Sequence, residues 1–299
     1  MVGSACLRLF QSKGLKQNIV TKTFKELDLT IQKDVDDFIK NEKPDIIINA
    51  AAKVGGIHAN NSYPYEFLIE NMKIQNNLID SAHKYGVDKF IFLGSSCIYP
   101  KFAKQPITEN ELLGGYLEPT NQWYALAKIS GVKLIESLKI QYKRDYVSLM
   151  PTNLYGQNDN FDLQTSHVLP AMIRKFHDGK TNNNSDVILW GTGKPLREFL
   201  HVDDLASAVY MSITKKLPES LYNVGYGEDI SIKDLAETIK SIVGFRGKII
   251  WDSEKPDGTP KKLMDSSKIK ELGWRPRINY IDGIKKLYRW YLENINQIK

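Results

Sequence analysis

From Met1 to about Pro151, short β-branched runs alternate with longer stretches in which apolar residues recur at helical spacing. That alternation predicts repeated strand–helix–strand units around a parallel sheet. The expected strands are Asn18 to Val20, Asp45 to Ala52, Asp88 to Ser95 and Tyr146 to Pro151, and the helical period runs over Ile31 to Asn41, Tyr63 to Lys84 and Asn121 to Lys143. Asp45-Ile-Ile-Ile-Asn-Ala-Ala-Ala52 is apolar without alternation, as in a strand covered on both faces. The fold class that follows is α/β, a doubly wound parallel sheet. Such sheets bind ligands beyond the carboxyl ends of their strands, where Ala50-Ala-Ala-Lys-Val-Gly-Gly56 and Gly94-Ser-Ser-Cys97 fall.

After Pro151 the pattern loosens. Short strands are expected around Val187 to Trp190, Leu221 to Val224 and Lys248 to Trp251, with helices around Ser166 to Asp178, Ser231 to Gly244 and Tyr280 to Ile295. This predicts a smaller mixed lobe over residues 156–299, set against a sheet domain over residues 1–155, with the stretch around 187–225 as a candidate return to the sheet. The opening Met1-Val-Gly-Ser-Ala-Cys-Leu-Arg-Leu-Phe10 has the pattern of a helix that follows a glycine-rich turn. The expectation is a sequence that begins about ten residues late, the length of one strand and a turn, with Gly3 as the turn's last glycine.

Composition narrows the class. With 299 residues, 42% of them hydrophobic and 25% charged, the chain can bury a large core. No apolar run approaches the roughly 20 residues that a bilayer demands, and no signal-peptide pattern opens the chain. A cytoplasmic protein is expected. The net charge is +6, but the lysines are dispersed and not interleaved with aromatics, which argues against a nucleic-acid partner. Two cysteines, Cys6 and Cys97, suggest neither a disulfide framework nor a zinc site, and no metal is expected.

The candidate chemistry starts at Tyr124 and Lys128, four residues apart in Asn121-Gln-Trp-Tyr-Ala-Leu-Ala-Lys128. Residues i and i+4 share one helix face, so an ammonium can sit beside the phenol and stabilise its phenolate, making a proton donor for neutral pH. An ordinary surface Tyr and Lys is the alternative that a lone Tyr-x-x-x-Lys leaves open.

Taken in order, several segments resemble the extended short-chain dehydrogenase/reductase superfamily and, within it, the GDP-L-fucose synthases. These are Met1-Val-Gly-Ser-Ala5, Ala50-Ala-Ala-Lys-Val-Gly-Gly-Ile57, Leu93-Gly-Ser-Ser-Cys-Ile-Tyr-Pro100, Tyr124-Ala-Leu-Ala-Lys128, Pro151-Thr-Asn-Leu-Tyr-Gly156, Ser166-His-Val-Leu-Pro170, Trp190-Gly-Thr-Gly-Lys-Pro-Leu-Arg-Glu-Phe199 and Lys255-Pro-Asp-Gly-Thr-Pro260. The resemblance implies a Rossmann-like sheet lacking its usual first strand, a GDP-sugar substrate, NADP(H) and a homodimer built on the helices near Tyr63 to Lys84 and Asn121 to Lys143. The implied reaction epimerises a 4-keto sugar nucleotide at C3 and C5 and then reduces the C4 ketone.

For the reduction, the resemblance makes Tyr124 the proton donor, Lys128 its helper and the holder of the nicotinamide ribose, and Ser95 the hydrogen-bond donor to the ketone, with Ser96 as the competing serine. For the epimerisation it makes Cys97 the base and His167 the acid, against the plain readings of a packed thiol and a helix-start histidine. Cofactor contacts are expected from Gly3, Lys22, Leu93, Gly94, Ser95, Ser96, Lys128, Pro151, Thr152, Asn153, Leu154 and His167. Lys22 is named because a cation near the end of the second strand accepts a 2'-phosphate; an exposed solvated lysine is its equal alternative. Lys175, Trp190, Arg197 and Asp257 occupy the substrate positions. Arg197 has the strongest physical case, since a guanidinium can fork onto phosphate oxygens, whereas Trp190 could equally be core. The rivals are a nucleotide-sugar 4-epimerase with the same Ser-Tyr-Lys chemistry, and an inactive nucleotide-binding homologue.

Overall fold

The computed structural model describes residues 1–15, 19–255 and 257–298. The chain opens with helix α1 (Val2–Ser12), which buries Ala5, Cys6 and Phe10, and continues through α2 (Gln32–Glu42), where Val35 and Ile39 form the buried stripe. Strand β1 (Ile46–Asn49) is followed by the short α3 (Ile57–Ser62) and the long α4 (Pro64–Lys84), whose Pro64 fills a first-turn position that needs no amide hydrogen. Strand β2 (Lys89–Leu93), helix α5 (Gln122–Tyr142) and strand β3 (Asp145–Pro151) complete the βαβ pattern.

The second half runs through β4 (Asn153–Tyr155), α6 (Val168–Thr181), β5 (Asp186–Trp190), β6 (Leu196–His201), α7 (Val202–Thr214), β7 (Leu221–Val224) and β8 (Asp229–Ser231). It ends with α8 (Ile232–Val243), β9 (Lys248–Asp252), β10 (Lys261–Lys262), α9 (Ser267–Glu271) and α10 (Tyr280–Asn294). Caps bound several of these helices: Ser231 accepts from the Asp234 amide ahead of α8, Gly244 closes it at φ 77°, and Asn279 accepts from Asp282 ahead of α10.

Strands β1, β2, β3 and β7 pair in that order, all parallel. Hydrophobic clusters cover the sheet's two faces. One gathers α2, α4 and α5 against Phe90 and Phe92, and the other gathers α1 and α7 against Ile91, Val147 and Leu149. Alternate residues of one strand feed opposite clusters, and Ile47 and Ile48 of β1 do so as well. This is the doubly wound α/β sheet expected from the unalternating apolar runs.

Two sequence expectations differ from the structure. Of the strand expected over Asn18 to Val20, Asn18 lies outside the described residues, and Ile19 and Val20 belong to no strand; Val20 is 57% exposed and has no packed face to hold it in a sheet. Among the described residues β1 is accordingly the sheet's edge. The stretch 187–225 also divides: β7 joins the main sheet beside β3, whereas β5 pairs with β9 in a separate two-stranded sheet.

The smaller lobe is built on β4, β6, β8 and β10, with β6 central, and on a third cluster gathered from α6, α8 and α10. Glu198 on β6 joins the two halves. Its carboxylate accepts the Gly227 amide at 2.6 Å and the Met264 amide at 2.9 Å, while its carbonyl accepts from Thr152 Oγ1 at 3.1 Å and Asn153 Nδ2 at 2.8 Å. Burial raises the pKa of this carboxyl, and the two amides work against that rise.

Candidate active site

The strand-to-turn junction after β2 is built by a close approach. A Cβ at Gly94 would overlap the Sδ and Cε of Met150, so a larger residue here requires that flexible side chain to move aside. Gly94 donates to the Leu149 carbonyl at 3.0 Å, and the chain then turns into the 3-10 segment Ser96–Ile98. Ser95 caps that turn, its Oγ accepting from the Cys97 amide at 3.4 Å. Ser95 is half-buried while Ser96 is buried, which favours Ser95 over Ser96 as the hydroxyl offered to a ligand.

Tyr124 and Lys128 lie one turn apart on α5. The Lys128 side chain is buried at 3% exposure; its Nζ donates to the Leu93 carbonyl at 2.9 Å and lies 4.8 Å from the Phe92 ring centre and 5.7 Å from that of Tyr124. Burial lowers its pKa to about 8, against some support from a charge on Cys97. Tyr124 stands edge-on to Phe67 with ring centres 6.3 Å apart. Burial pushes its phenol well above the ordinary tyrosine value, and a charge on Cys97 pushes it further. Here the structure departs from the expectation that Lys128 lowers this pKa: the ammonium is turned to the Leu93 carbonyl and the phenol is desolvated without it. In this state the phenol is held as the protonated acid.

Cys97 completes the cluster. It is 6% exposed, and burial raises its thiol pKa while Lys262, the Ser95 hydroxyl and Lys128 act to lower it. His167 sits at the N-cap of α6 but makes no side-chain capping bond, so the helix start does not consume its ring. Solvent reaches the residue, yet the surrounding protein lowers its pKa by desolvation. Among the described residues no contact joins His167 to Cys97. The structure brings Ser95, Cys97, Tyr124 and Lys128 together and leaves His167 on the other lobe's wall. What ties that wall down is the loop after β1, where Gly56 donates to the Thr165 carbonyl at 2.9 Å.

The expected substrate residues gather on the small lobe. Trp190, 51% exposed, is no core residue; Lys175 Nζ lies 6.0 Å from its ring centre and Lys255 Nζ 5.6 Å. Lys175 also donates to the Ile188 carbonyl at 2.9 Å. Asp257 accepts from Thr192 N and Oγ1, each at 2.7 Å, a contact that Gly191 at φ 79° allows because a Cβ there would overlap the carboxylate. Arg197 donates to the Leu196 carbonyl at 2.9 Å and the Asp257 carbonyl at 3.4 Å. Residue 256, within the motif Lys255 to Pro260, lies outside the described residues.

The expected cofactor residues line the crest of the main sheet. Leu93, Gly94, Ser95 and Ser96 follow β2, and Pro151 ends β3, with Thr152, Asn153 and Leu154 leading into β4. Gly3 lies in the first turn of α1, where a Cβ would meet Ala50 Cβ at an ordinary 3.8 Å, so packing alone does not demand glycine there. Lys22 is exposed beside the turn in which Glu26 accepts from the Thr23 amide. The donor set fits a dinucleotide: the Asn49 Nδ2 is buried at the crest without a partner, and α1 opens with no side-chain cap on its free amides. Lysine 262 was not among the residues singled out from sequence. Nothing in Lys261-Lys262 distinguishes it from a surface pair, and pairing with β6 is what brings its charge within range of Cys97.

One prediction arises from Lys128. A buried lysine with its pKa lowered from 10.5 to about 8 costs the folded state stability at pH 7; between about 8 and 10.5 the unfolded chain binds the extra proton, so this cost fades as pH rises through that window. Lys128→Met should therefore raise the Tm of the protein at pH 7 by a few degrees. Thermal melts at pH 7 and pH 10 check it, the gain being the larger at pH 7; a Tm lowered at pH 7 would refute the assignment of a net cost.

Comparison with known proteins gives a consistent picture. The family model described as NAD dependent epimerase/dehydratase family matches residues 1–225. GDP-L-fucose synthase 1 of Arabidopsis thaliana is 55% identical over 295 residues, covering 99% of this chain and 91% of that protein. GDP-L-fucose synthase of Escherichia coli (strain K12) is 48% identical over 309 residues, covering 100% of this chain and 96% of that one. Among solved structures, the GDP-mannoheptose C4 reductase MlghC from Campylobacter jejuni, with NADP bound, superposes with a TM-score of 0.89 at 38% identity, over 97% of this chain and 95% of that one.

Proposed function

The chain belongs to the NAD dependent epimerase/dehydratase family and, within it, to the GDP-L-fucose synthases, and from that membership we propose the course of its reaction. It converts GDP-4-keto-6-deoxy-D-mannose to GDP-L-fucose, inverting C3 and C5 and reducing the C4 ketone with NADPH. The observation that carries this reading is the clustering of Cys97 with Ser95, Tyr124 and Lys128 at the end of β2. A reductase needs only the last three; a thiol beside them offers a base for the carbons flanking the same ketone.

In the epimerisation, Cys97 as thiolate takes the proton from the carbon next to the ketone, and the electron pair moves onto the ketone oxygen. Tyr124 and Ser95 hydrogen-bond that oxygen. His167, offered from the other wall of the groove, returns a proton to the opposite face. In the reduction NADPH supplies the hydride, and Tyr124 gives its proton to the oxygen that becomes the C4 hydroxyl. Raising the phenol's pKa by burial keeps that proton available until the oxygen carries negative charge. Lys128, Asn49, Asn153, Gly94 and the α1 amides would hold the cofactor. Arg197, with Lys175 and Lys255 around Trp190, would hold the GDP moiety.

The active species is proposed to be a homodimer through α4 and α5. These helices pack on each other and leave Tyr65 at 70%, Leu126 at 42% and Ile140 at 66% exposed. No helix among the described residues is long and apolar enough to cross a membrane. With two free thiols, we place the enzyme in the reducing cytoplasm.

The assay is direct. Loss of NADPH absorbance at 340 nm on addition of GDP-4-keto-6-deoxy-D-mannose, with GDP-L-fucose as product, is expected; NADPH binding without turnover would instead indicate an inactive homologue. The second reading is a C4 reductase without epimerisation, favoured by the Campylobacter reductase and by the lack of contact between Cys97 and His167. A product unchanged at C3 and C5 would establish it.

A further inference from the structure

Lys262 has no role in the reaction described so far, yet its surroundings are those of the active site. Strand β10 places it beside Arg197 in register on β6. The segment is held firmly: the Gln105 side chain donates to the Lys261 carbonyl at 3.2 Å and accepts from the Leu263 amide at 2.9 Å. Ile107 donates to the Leu263 carbonyl at 2.8 Å, and Glu198 accepts from Met264. Gln105 and Ile107 belong to the loop that leaves the Cys97 turn. The same backbone stretch thus carries the thiol and clamps the strand that carries the ammonium.

The groups around this ammonium leave it one partner. Cys97, Arg197 and Glu118 are the ionisable groups close enough to Lys262 to alter its charge. Arg197 repels it and is engaged with the carbonyls of Leu196 and Asp257. Glu118 is paired with Lys101 at 2.9 Å. Lys262 itself makes no hydrogen bond and no ion pair among the described residues. Around the thiol, Lys128 is tied to the Leu93 carbonyl, Tyr124 is neutral and the Ser95 Oγ accepts from the Cys97 amide. A half-buried ammonium without a partner, set against a buried thiol, is costly unless the pair is used.

We propose that Lys262 is a positioning residue for the carbon-acid step, its ammonium pairing with Cys97 so that the thiolate stands ready in the resting enzyme. The proton then passes from sugar carbon to sulfur, the electron pair moves to the ketone oxygen, and Lys262 gives up nothing. As the sulfur becomes neutral, the ammonium is left facing the groove in which the enolate has formed. The pair therefore favours the thiolate before transfer and the enolate after it. Opposing effects are present as well, since burial raises the thiol's pKa and lowers that of Lys262; Lys262 is the largest of the influences that lower the thiol's.

This inference rests on Cys97 as the base, and the experiment separates the two. Thiolate absorbance near 240 nm is titrated in the full chain, in Lys262→Met and in Lys262→Arg, with Cys97→Ser as the blank. Cys6 does not interfere below pH 9, because burial holds its thiol at about 11. The expected result is a thiol pKa higher by at least one unit in Lys262→Met, about tenfold less thiolate at pH 7, with most of the shift restored in Lys262→Arg. Hydrogen exchange at C3 and C5, measured in deuterated water, should fall by the same factor at pH 7 and recover at high pH. An unmoved titration in Lys262→Met overturns the proposal, as does a rise in substrate KM alone, which would make Lys262 a phosphate clamp. Should Cys97→Ser retain full exchange, the base assignment falls while the titration still decides whether the pair exists.

Discussion

Cys97→Ser is expected to stop deuterium incorporation at C3 and C5 of the 4-keto substrate, lowering it by about two to four orders of magnitude. A serine hydroxyl is isosteric but far too weak an acid to stand as an anion beside Lys262 and Lys128. The backbone amide of residue 97 that donates to Ser95 and the packing against Gly94 do not involve the sulfur, so the site keeps its shape. Reduction of a substrate already carrying the inverted centres should survive in large part. The measurement is proton NMR in deuterated water without NADPH, paired with a 340 nm assay on the epimerised ketone. Exchange undiminished in the variant, or reduction lost while exchange persists, would remove Cys97 from its assigned place.

Tyr124→Phe should have the converse signature. The hydride step loses the proton donor and the hydrogen bond to the developing alkoxide, and turnover is expected to fall by about two to four orders of magnitude. Phe67 packs edge-on against the ring and not on the hydroxyl, so phenylalanine keeps the packing. Exchange at C3 and C5 continues at a reduced rate, because Ser95 still hydrogen-bonds the enolate oxygen. Single-turnover loss of NADPH absorbance checks the first part. A variant that reduces at the full rate would assign the proton to another group.

How much of this could be read from the residues varies element by element. Leu221 to Val224 was legible to the residue, and the helices carrying Tyr124 and the α4 stripe were legible to within one or two, because their apolar spacing is regular and their faces are buried by the sheet. Strand β6 was not anticipated. Its Leu-Arg-Glu-Phe-Leu-His reads as a mixed surface run, and the reason lies in Glu198, a charged residue buried at 0% exposure because two amides hold its carboxylate. Tertiary hydrogen bonding overrode pattern there. The short β4, β8 and β10 are two or three residues long, too brief for any period to show.

The proposed reacting groups divide in the same way. Serine, cysteine and tyrosine fall on the strand end and helix face that the sheet topology dictates, so spacing along the chain was a fair guide to them. The state of Tyr124 was not, since spacing says that Lys128 can reach the phenol and says nothing of a carbonyl at Leu93 that takes the ammonium first. The partner of Cys97 was invisible for a related reason. Lys262 lies 165 positions downstream, and the register of β10 on β6 with its clamp on the Gln105 loop brings it within electrostatic range of the thiol.

Glu198 has a mechanical consequence. One side chain and its own carbonyl stitch the base of the groove with four hydrogen bonds, so any sliding of one half along the other would have to break them. A nucleotide sugar in the groove would then meet the strand-tip cluster and the opposite wall in a register fixed by those bonds.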